Sequence, residues 1–311
     1  MMVDWGYLGA RSFDEPFFDQ TISACLEHPF NLLFRHQTSV EVLVEQLERS
    51  PGLKPNGFIF HMSRSGSTLI ARMLNALSRN IVISEAPPID AILRASFSAN
   101  PPDHEQHIVW LRSMLSALAQ QRVGSEKHFF VKFEAWHALM LPLIRSAFPD
   151  VPWIFVYRDP VEVLVSQIEH LGQIVPNVLH YSLFGTDAQA VVSLPVEEYS
   201  AVVLATICHS AFTSTQQGGG LLINYSQLPY AVCSSISNFF NMSLSTEQTA
   251  LMMSATRRHS KNPDSIFSRD SAKKNEKATN QIRESAERWL NPIYECLEGA
   301  RVDAGKLPVH S

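Results

Sequence analysis

The sequence predicts an α/β fold with a central parallel sheet of about five strands flanked by helices. Three observations carry that expectation. Short apolar runs recur at 57–62, 80–84, 128–133, 151–157 and 221–225. Segments with apolar residues at helical spacing lie between them, and strands alternating with helices are the mark of a parallel sheet. The runs are continuous rather than alternating, as expected of strands buried on both faces.

In chain order, residues 38–49 (TSVEVLVEQLER) read as a short amphipathic helix, ended by the turn-rich SPGLKPNG. GFIFHM (57–62) is an apolar strand, SRSGST (63–68) a small polar loop, 68–77 a helix and NIVIS (80–84) a second strand. A helix at 107–121, a strand at 128–133 and a helix at 136–148 follow. VPWIFVY (151–157) is the fourth strand, and the helix after it starts with Pro160, where a missing N–H costs nothing. Residues 172–195 carry little periodicity and read as a long loop or flap. A long helix at 196–217 ends at Gly218, Gly219 and Gly220, before the fifth strand at 221–225. Two or three helices complete the chain, the last over 276–297. Nothing marks a second domain: residues 1–56 form an N-terminal extension, 57–240 the core, and 241–311 C-terminal helices with a basic loop.

Of the 311 residues, 45 % are hydrophobic and 18 % charged, which supplies a large core and argues against disorder. A net charge of −5 argues against the broad basic face of a nucleic-acid binder. Cys25, Cys208, Cys233 and Cys296 form no CxxC pair and no metal-like cluster with histidine, so reduced thiols and a cytoplasmic location are expected. The first residues lack the apolar stretch of a signal peptide, and no apolar run is long enough to insert into a membrane.

The chemistry is concentrated in two places. Ser63, Arg64, Ser65, Gly66, Ser67 and Thr68 sit between a strand and a helix, where unpartnered N–H groups and the helix dipole favour an anion. Gly66 permits a tight turn, the three hydroxyl residues that flank it (Ser65, Ser67 and Thr68) can donate hydrogen bonds, and Arg64 offers a fork suited to phosphate or sulfate. No lysine follows the glycine, unlike the GxxxxGK[ST] loop of nucleotide triphosphatases. The second place is Arg158, at the carboxyl end of a strand, with Ser166 eight residues on in the next helix. Such strand ends are where ligands of open parallel sheets gather. Arg158 and Ser166 could hold a second phosphate, or Arg158 could pair with Asp159 or Glu162.

Together these pieces resemble the sulfotransferase superfamily, whose donor is 3′-phosphoadenosine 5′-phosphosulfate (PAPS). SRSGST is similar to the family's PRSGTT or PKSGTT loop, and RDPVEVLVS (158–166) to its second motif, with Glu162 where aspartate is commoner. INYSQL (223–228) resembles the tyrosine-containing YEDL, with Ser226 and Gln227 replacing the acids. The resemblance covers roughly residues 56–240. It implies a three-layer P-loop fold, residues 63–68 on the 5′-phosphosulfate, Arg158 and Ser166 on the 3′-phosphate, and release of 3′-phosphoadenosine 5′-phosphate (PAP), with no metal required. Residues 257–277 hold seven basic against three acidic side chains. The family often closes over its nucleotide with such a loop, so Arg258 and Lys261 are candidates there.

Transfer requires a base for the acceptor's proton and positive charge where the leaving phosphate gathers negative charge. Arg64 fits the second need. Glu85, at the carboxyl end of the second strand, is one candidate base. Glu134 is the other: Lys132–Phe133–Glu134 resembles the Lys-Thr-His run of cytosolic members, with Glu134 in the place of their histidine and Lys132 matching their lysine. His61 reads as a core or supporting residue, and nothing singles out His137 or His170. A sulfotransferase acting on a hydroxyl or amine is the leading expectation; an ATP-dependent small-molecule kinase and a non-catalytic nucleotide-binding or interaction protein are the alternatives. The acceptor, whether small molecule, lipid, sugar or peptide, is left open, and a homodimer is the default assembly.

Overall fold

The computed structural model describes residues 1–9, 11–170, 188–257 and 271–304. Strands β1 (Met2–Trp5) and β2 (His36–Ser39) pair antiparallel in a small separate sheet. Strands β3 (Pro55–His61), β4 (Asn80–Ser84), β5 (His128–Lys132), β6 (Trp153–Tyr157) and β7 (Gly220–Asn224) form the main sheet in the order β4-β5-β3-β6-β7. Every neighbouring pair in it is parallel. The expected α/β architecture is therefore present, with the five sheet strands close to their expected positions.

Helices cover both faces. In chain order the first eight are α1 (Phe18–Leu26), α2 (Pro29–Leu33), α3 (Val40–Arg49), α4 (Ser67–Asn75), α5 (Pro87–Arg94), α6 (His104–Leu118), α7 (Leu141–Ala147) and α8 (Pro160–Glu169). Successive strand residues point to opposite faces, and the core divides accordingly. Phe58, Phe60, Ile83, Val131 and Phe155 pack with α5, α6, α7 and the long helix Val196–Gln216. Ile59, Val82, Phe130, Ile154 and Ile223 pack with α4 and the segment around Val232 and Phe240. This two-sided burial is why the strands read as unbroken apolar runs.

Three local expectations need correction. The helix expected from residue 38 begins at Val40, because residues 36–39 pair with β1 and the Trp5 indole N–H donates to Thr38 Oγ1 at 2.8 Å. The helix expected at 136–148 is a 3-10 segment, Ala135–Met140, followed by α7, which restarts with a proline in its first turn. The single helix expected at 276–297 is broken: Ser271–Lys277 ends, Thr279 caps a new start by accepting from the Ile282 N–H at 3.2 Å, and the chain continues through a π segment into Asn291–Ala304. Among the described residues no helix is long and apolar enough to cross a membrane.

Gly57 lies in β3 against the Phe240 ring, and a Cβ there would meet that ring at 2.4 Å. Phe240 is buried and packs on Phe130, so the ring has little room to give. Gly57→Ala is expected to destabilise by about 1–3 kcal/mol, the usual range for overpacking a core. A lower midpoint of urea unfolding at unchanged slope would report it.

Candidate active site

All five strands of the main sheet deliver site residues at or just past their carboxyl ends. β3 ends at His61 and α4 starts at Ser67. Between them the backbone takes left-handed conformations at Ser63 (φ 71°), Arg64 (φ 48°) and Gly66 (φ 91°). Glycine adopts these freely; for serine and arginine they cost of order 1–3 kcal/mol each and persist only where surroundings enforce them. Here the enforcement is visible. The Ser63 N–H donates to His61 Nδ1 at 3.0 Å, and the Ser65 hydroxyl donates to the Val156 carbonyl of β6 at 2.8 Å. At Gly66 a Cβ would meet Tyr225 at 2.8 Å.

The consequence is a row of N–H groups with nothing to bond. Those of Ser65, Gly66, Ser67 and Thr68 have no hydrogen-bond partner among the described residues, and the start of α4 has no side-chain cap. Unpaired donors at a helix head fit an oxyanion, so the segment suits a phosphate or phosphosulfate group. The hydroxyl protons of Ser67 and Thr68 add to it. Ser65 differs from expectation: its hydroxyl proton goes to Val156, which leaves its N–H for a ligand. Arg64 donates to the His170 carbonyl beyond α8 at 3.2 Å, and the Ser63 hydroxyl to Gln167 Oε1 at 3.4 Å.

On the β4–β5 side, Lys132 is fully buried and pairs directly with Glu85. Ser84 and Lys132 are in register across the two strands, and the Glu85 N–H donates to the Lys132 carbonyl at 2.8 Å. Glu85 itself has a left-handed backbone, φ 52°, which turns its carboxylate toward the lysine and His61. Burial alone would raise its pKa, but the Lys132 ammonium and the His61 ring outweigh burial and hold it far below the usual carboxylate range. His61 has both nitrogens committed: Nδ1 accepts from Ser63, and Nε2 faces the Phe133 carbonyl at 3.0 Å and Glu85 at 3.4 Å. Burial lowers its pKa, so it is a neutral supporting residue. Above the lysine lies the Phe17 ring, 5.3 Å from Nζ. Phe17 belongs to an N-terminal segment fixed on either side: the Phe13 carbonyl accepts from Asn75 of α4 at 2.8 Å, and the Phe13 and Phe18 rings stack at 5.1 Å.

Glu134, two residues past β5, has a different environment. Burial and the neighbouring charges of Asp90 and Glu85 push its pKa up to about 7. The Trp136 indole N–H lies between two carboxylates, 3.1 Å from Glu134 Oε2 and 3.0 Å from Asp90 Oδ1. His137 Nδ1 accepts from the Glu134 N–H at 3.2 Å, and its Nε2–H faces Asp90 Oδ1 at 3.2 Å. Arg94, one turn along α5, pairs with Asp90 Oδ2 at 2.6 Å. Asp90, Glu134 and His137 are close enough to surround a metal ion. Their donor set does not suit one, because both His137 nitrogens and both Asp90 oxygens are already engaged within the protein.

On the β6–β7 side, Arg158 is buried, and its Nε donates to Glu162 at 2.5 Å. Its guanidinium carbon stacks 4.0 Å from the Tyr225 ring, the same ring that abuts Gly66. Tyr225 thus joins the 63–68 loop to Arg158, a link that the motif in sequence does not convey. Ser166 is buried one helix turn past Glu162. Arg258 and Lys261 lie outside the described residues, as does most of the 172–195 segment.

Residues 55–191 match the model of the sulfotransferase family. That segment, less than half of the chain, holds the 63–68 loop, Glu85, Lys132, Glu134, Arg158 and Ser166, and it is similar to the sulfotransferase family. Among solved structures, the chain is similar to a sulfotransferase from Alicyclobacillus acidocaldarius, with 15 % identity, coverage of 80 % of this chain and 96 % of that one, and a TM-score of 0.49. It is also similar to a sulfotransferase from Mycobacterium avium, with 12 % identity, 81 % of each chain covered and a TM-score of 0.47. A mouse sulfotransferase complexed with PAP shares 11 % identity over 84 % of this chain and 94 % of that one, with a TM-score of 0.42. No curated protein matched the chain.

Proposed function

We propose that the chain transfers a sulfuryl group from PAPS to a hydroxyl or amine acceptor. The observation that carries this reading is the row of unpaired N–H groups at Ser65–Thr68, inside the family segment and flanked by Lys132 and Arg158. Residues 63–68 would hold the 5′-phosphosulfate; Arg158 and Ser166 would hold the 3′-phosphate. When bound, PAPS supplies an activated sulfuryl group. The loop N–H groups, Arg64 and Lys132 would place fixed positive charge where negative charge develops on the leaving phosphate. The reading calls for no metal.

The base is Glu134. A base must be able to accept a proton near working pH. Glu85 is tied to Lys132 and held far below its ordinary pKa, whereas Glu134 is raised to about 7. Glu85 instead fixes the Lys132 ammonium at the strand end. With the donor bound, Glu134 would take the proton of the acceptor hydroxyl while the bond between sulfur and the donor's 5′-phosphate oxygen breaks and PAP leaves.

Calorimetric titration with PAP, beside ATP with Mg²⁺, tests the donor assignment. Micromolar binding of PAP is expected. Binding of ATP with Mg²⁺ alone would replace this reading with a kinase, and binding of neither by folded protein would favour a non-catalytic role.

A further inference from the structure

The buried cluster behind Glu134 has no part in the transfer just described, yet it is elaborate. Asp90 sits in the first turn of α5 within an otherwise apolar face, mostly buried, and receives hydrogen bonds or ion pairs from Arg94, Trp136 and His137. A carboxylate kept in this position needs all three to offset its desolvation. A hydrophobic residue would fill the space without them. What Asp90 does that such a residue could not is place a fixed negative charge beside Glu134, with one indole N–H held between the two carboxylates.

We propose that Asp90 is a positioning residue for the base. Through Trp136 and His137 it sets the orientation of Glu134, and through its charge it sets how strongly Glu134 holds a proton. This rests on the assignment of Glu134 as the base. His137 fixes the Glu134 backbone through the N–H to Nδ1 contact, and Asp90 fixes the His137 tautomer by accepting from Nε2. The charged and titratable groups around Glu134 are Asp90 and Arg94 on α5, Glu85 past β4, Lys132 on β5, His61 on β3 and His137 in its own segment. Asp90 and Glu85 favour the protonated form, and Arg94 opposes it.

The test is a pair of substitutions with opposite expected signs. Asp90→Asn keeps an acceptor for Trp136 and His137 but removes the charge. The acid limb of the pH–rate profile should move to lower pH by about one unit, the scale of a close like-charge effect, and the plateau rate should fall because the base is weaker. Arg94→Gln removes a charge that favours ionised Glu134, so its limb should move to higher pH, by less because Arg94 is partly exposed. A merely structural role for Asp90 lowers the rate and moves neither limb nor the titration of Glu134 itself, and that outcome overturns the proposal. Carbon-13 NMR of the Glu134 carboxyl, assigned by its loss in Glu134→Gln, reads the titration without any turnover. If the Glu134 titration moves in both variants while the rate profile does not follow, the tuning stands and Glu134 is not the base. If the NMR titration stays where it is in folded Asp90→Asn, the tuning is wrong.

Discussion

Replacing Glu134 by glutamine is expected to slow sulfuryl transfer by roughly 10²- to 10⁴-fold, the usual contribution of a positioned general base, while PAP affinity stays the same. The loss should come with a gain in stability. Glu134 has a folded pKa of about 7, above its unfolded value. Such a group favours the fold when protonated, so its favourable contribution is complete below the unfolded value and is lost as pH rises through 7. At pH 8 the wild-type protein therefore bears a cost that glutamine removes. The shift corresponds to about 2 kcal/mol once solvent screening at a partly exposed carboxylate is allowed for. Urea unfolding at pH 5 and pH 8 checks this: Glu134→Gln should be near neutral at the lower pH and stabilised at the higher. Equal stability at both pH values, or a rate unchanged within twofold, would remove Glu134 from the role. Glu85→Gln separates the two carboxylates. It leaves Lys132 fully buried without its partner, so destabilisation should dominate its phenotype.

Arg158→Ala combines two effects that a second variant separates. If Arg158 holds the donor's 3′-phosphate as proposed, removing the guanidinium takes away charge-assisted hydrogen bonds, and PAP affinity should fall roughly 10- to 100-fold, from about 1.5–3 kcal/mol. The substitution also removes the Arg158 Nε–H that pairs with the buried Glu162 carboxylate. Breaking a buried pair from one side costs about 3–5 kcal/mol. Replacing both residues by methionine should recover most of the stability, since paired apolar substitutions of buried ions are often neutral, and should leave PAP binding impaired. Recovery of binding along with stability would mean that Arg158 acts only in the fold. Tyr225 should share in the phenotype, because its ring lies against both Arg158 and the glycine of the loop.

The sheet was legible because its signal is local. Each strand is a short apolar run, and each following helix starts at a recognisable break such as Gly66 or Pro160. Glu85 could be nominated from its strand-end position and Lys132 from the family resemblance, but their pairing depends on strand register, which no local pattern carries. The β1–β2 pairing was illegible for the same reason: Trp5 and Thr38 are 33 residues apart. Asp90 was the larger omission. Its signal was present as an aspartate four residues before Arg94 on a helix whose other face is apolar, a spacing that brings such pairs together. Its meaning appears only once Trp136 and His137 arrive from a different strand end. The opposite fates of the two glutamates follow likewise from neighbours: a lysine beside one, a carboxylate beside the other.

Phe17 lies over the lysine of the site, yet it belongs to a stretch of chain well before residue 55, where the family match begins. The lysine at the strand end and the ring above it are thus written in separate stretches of sequence. A substitution at Phe17 would change the surface over Lys132 while every residue of the 55–191 segment stays as it is.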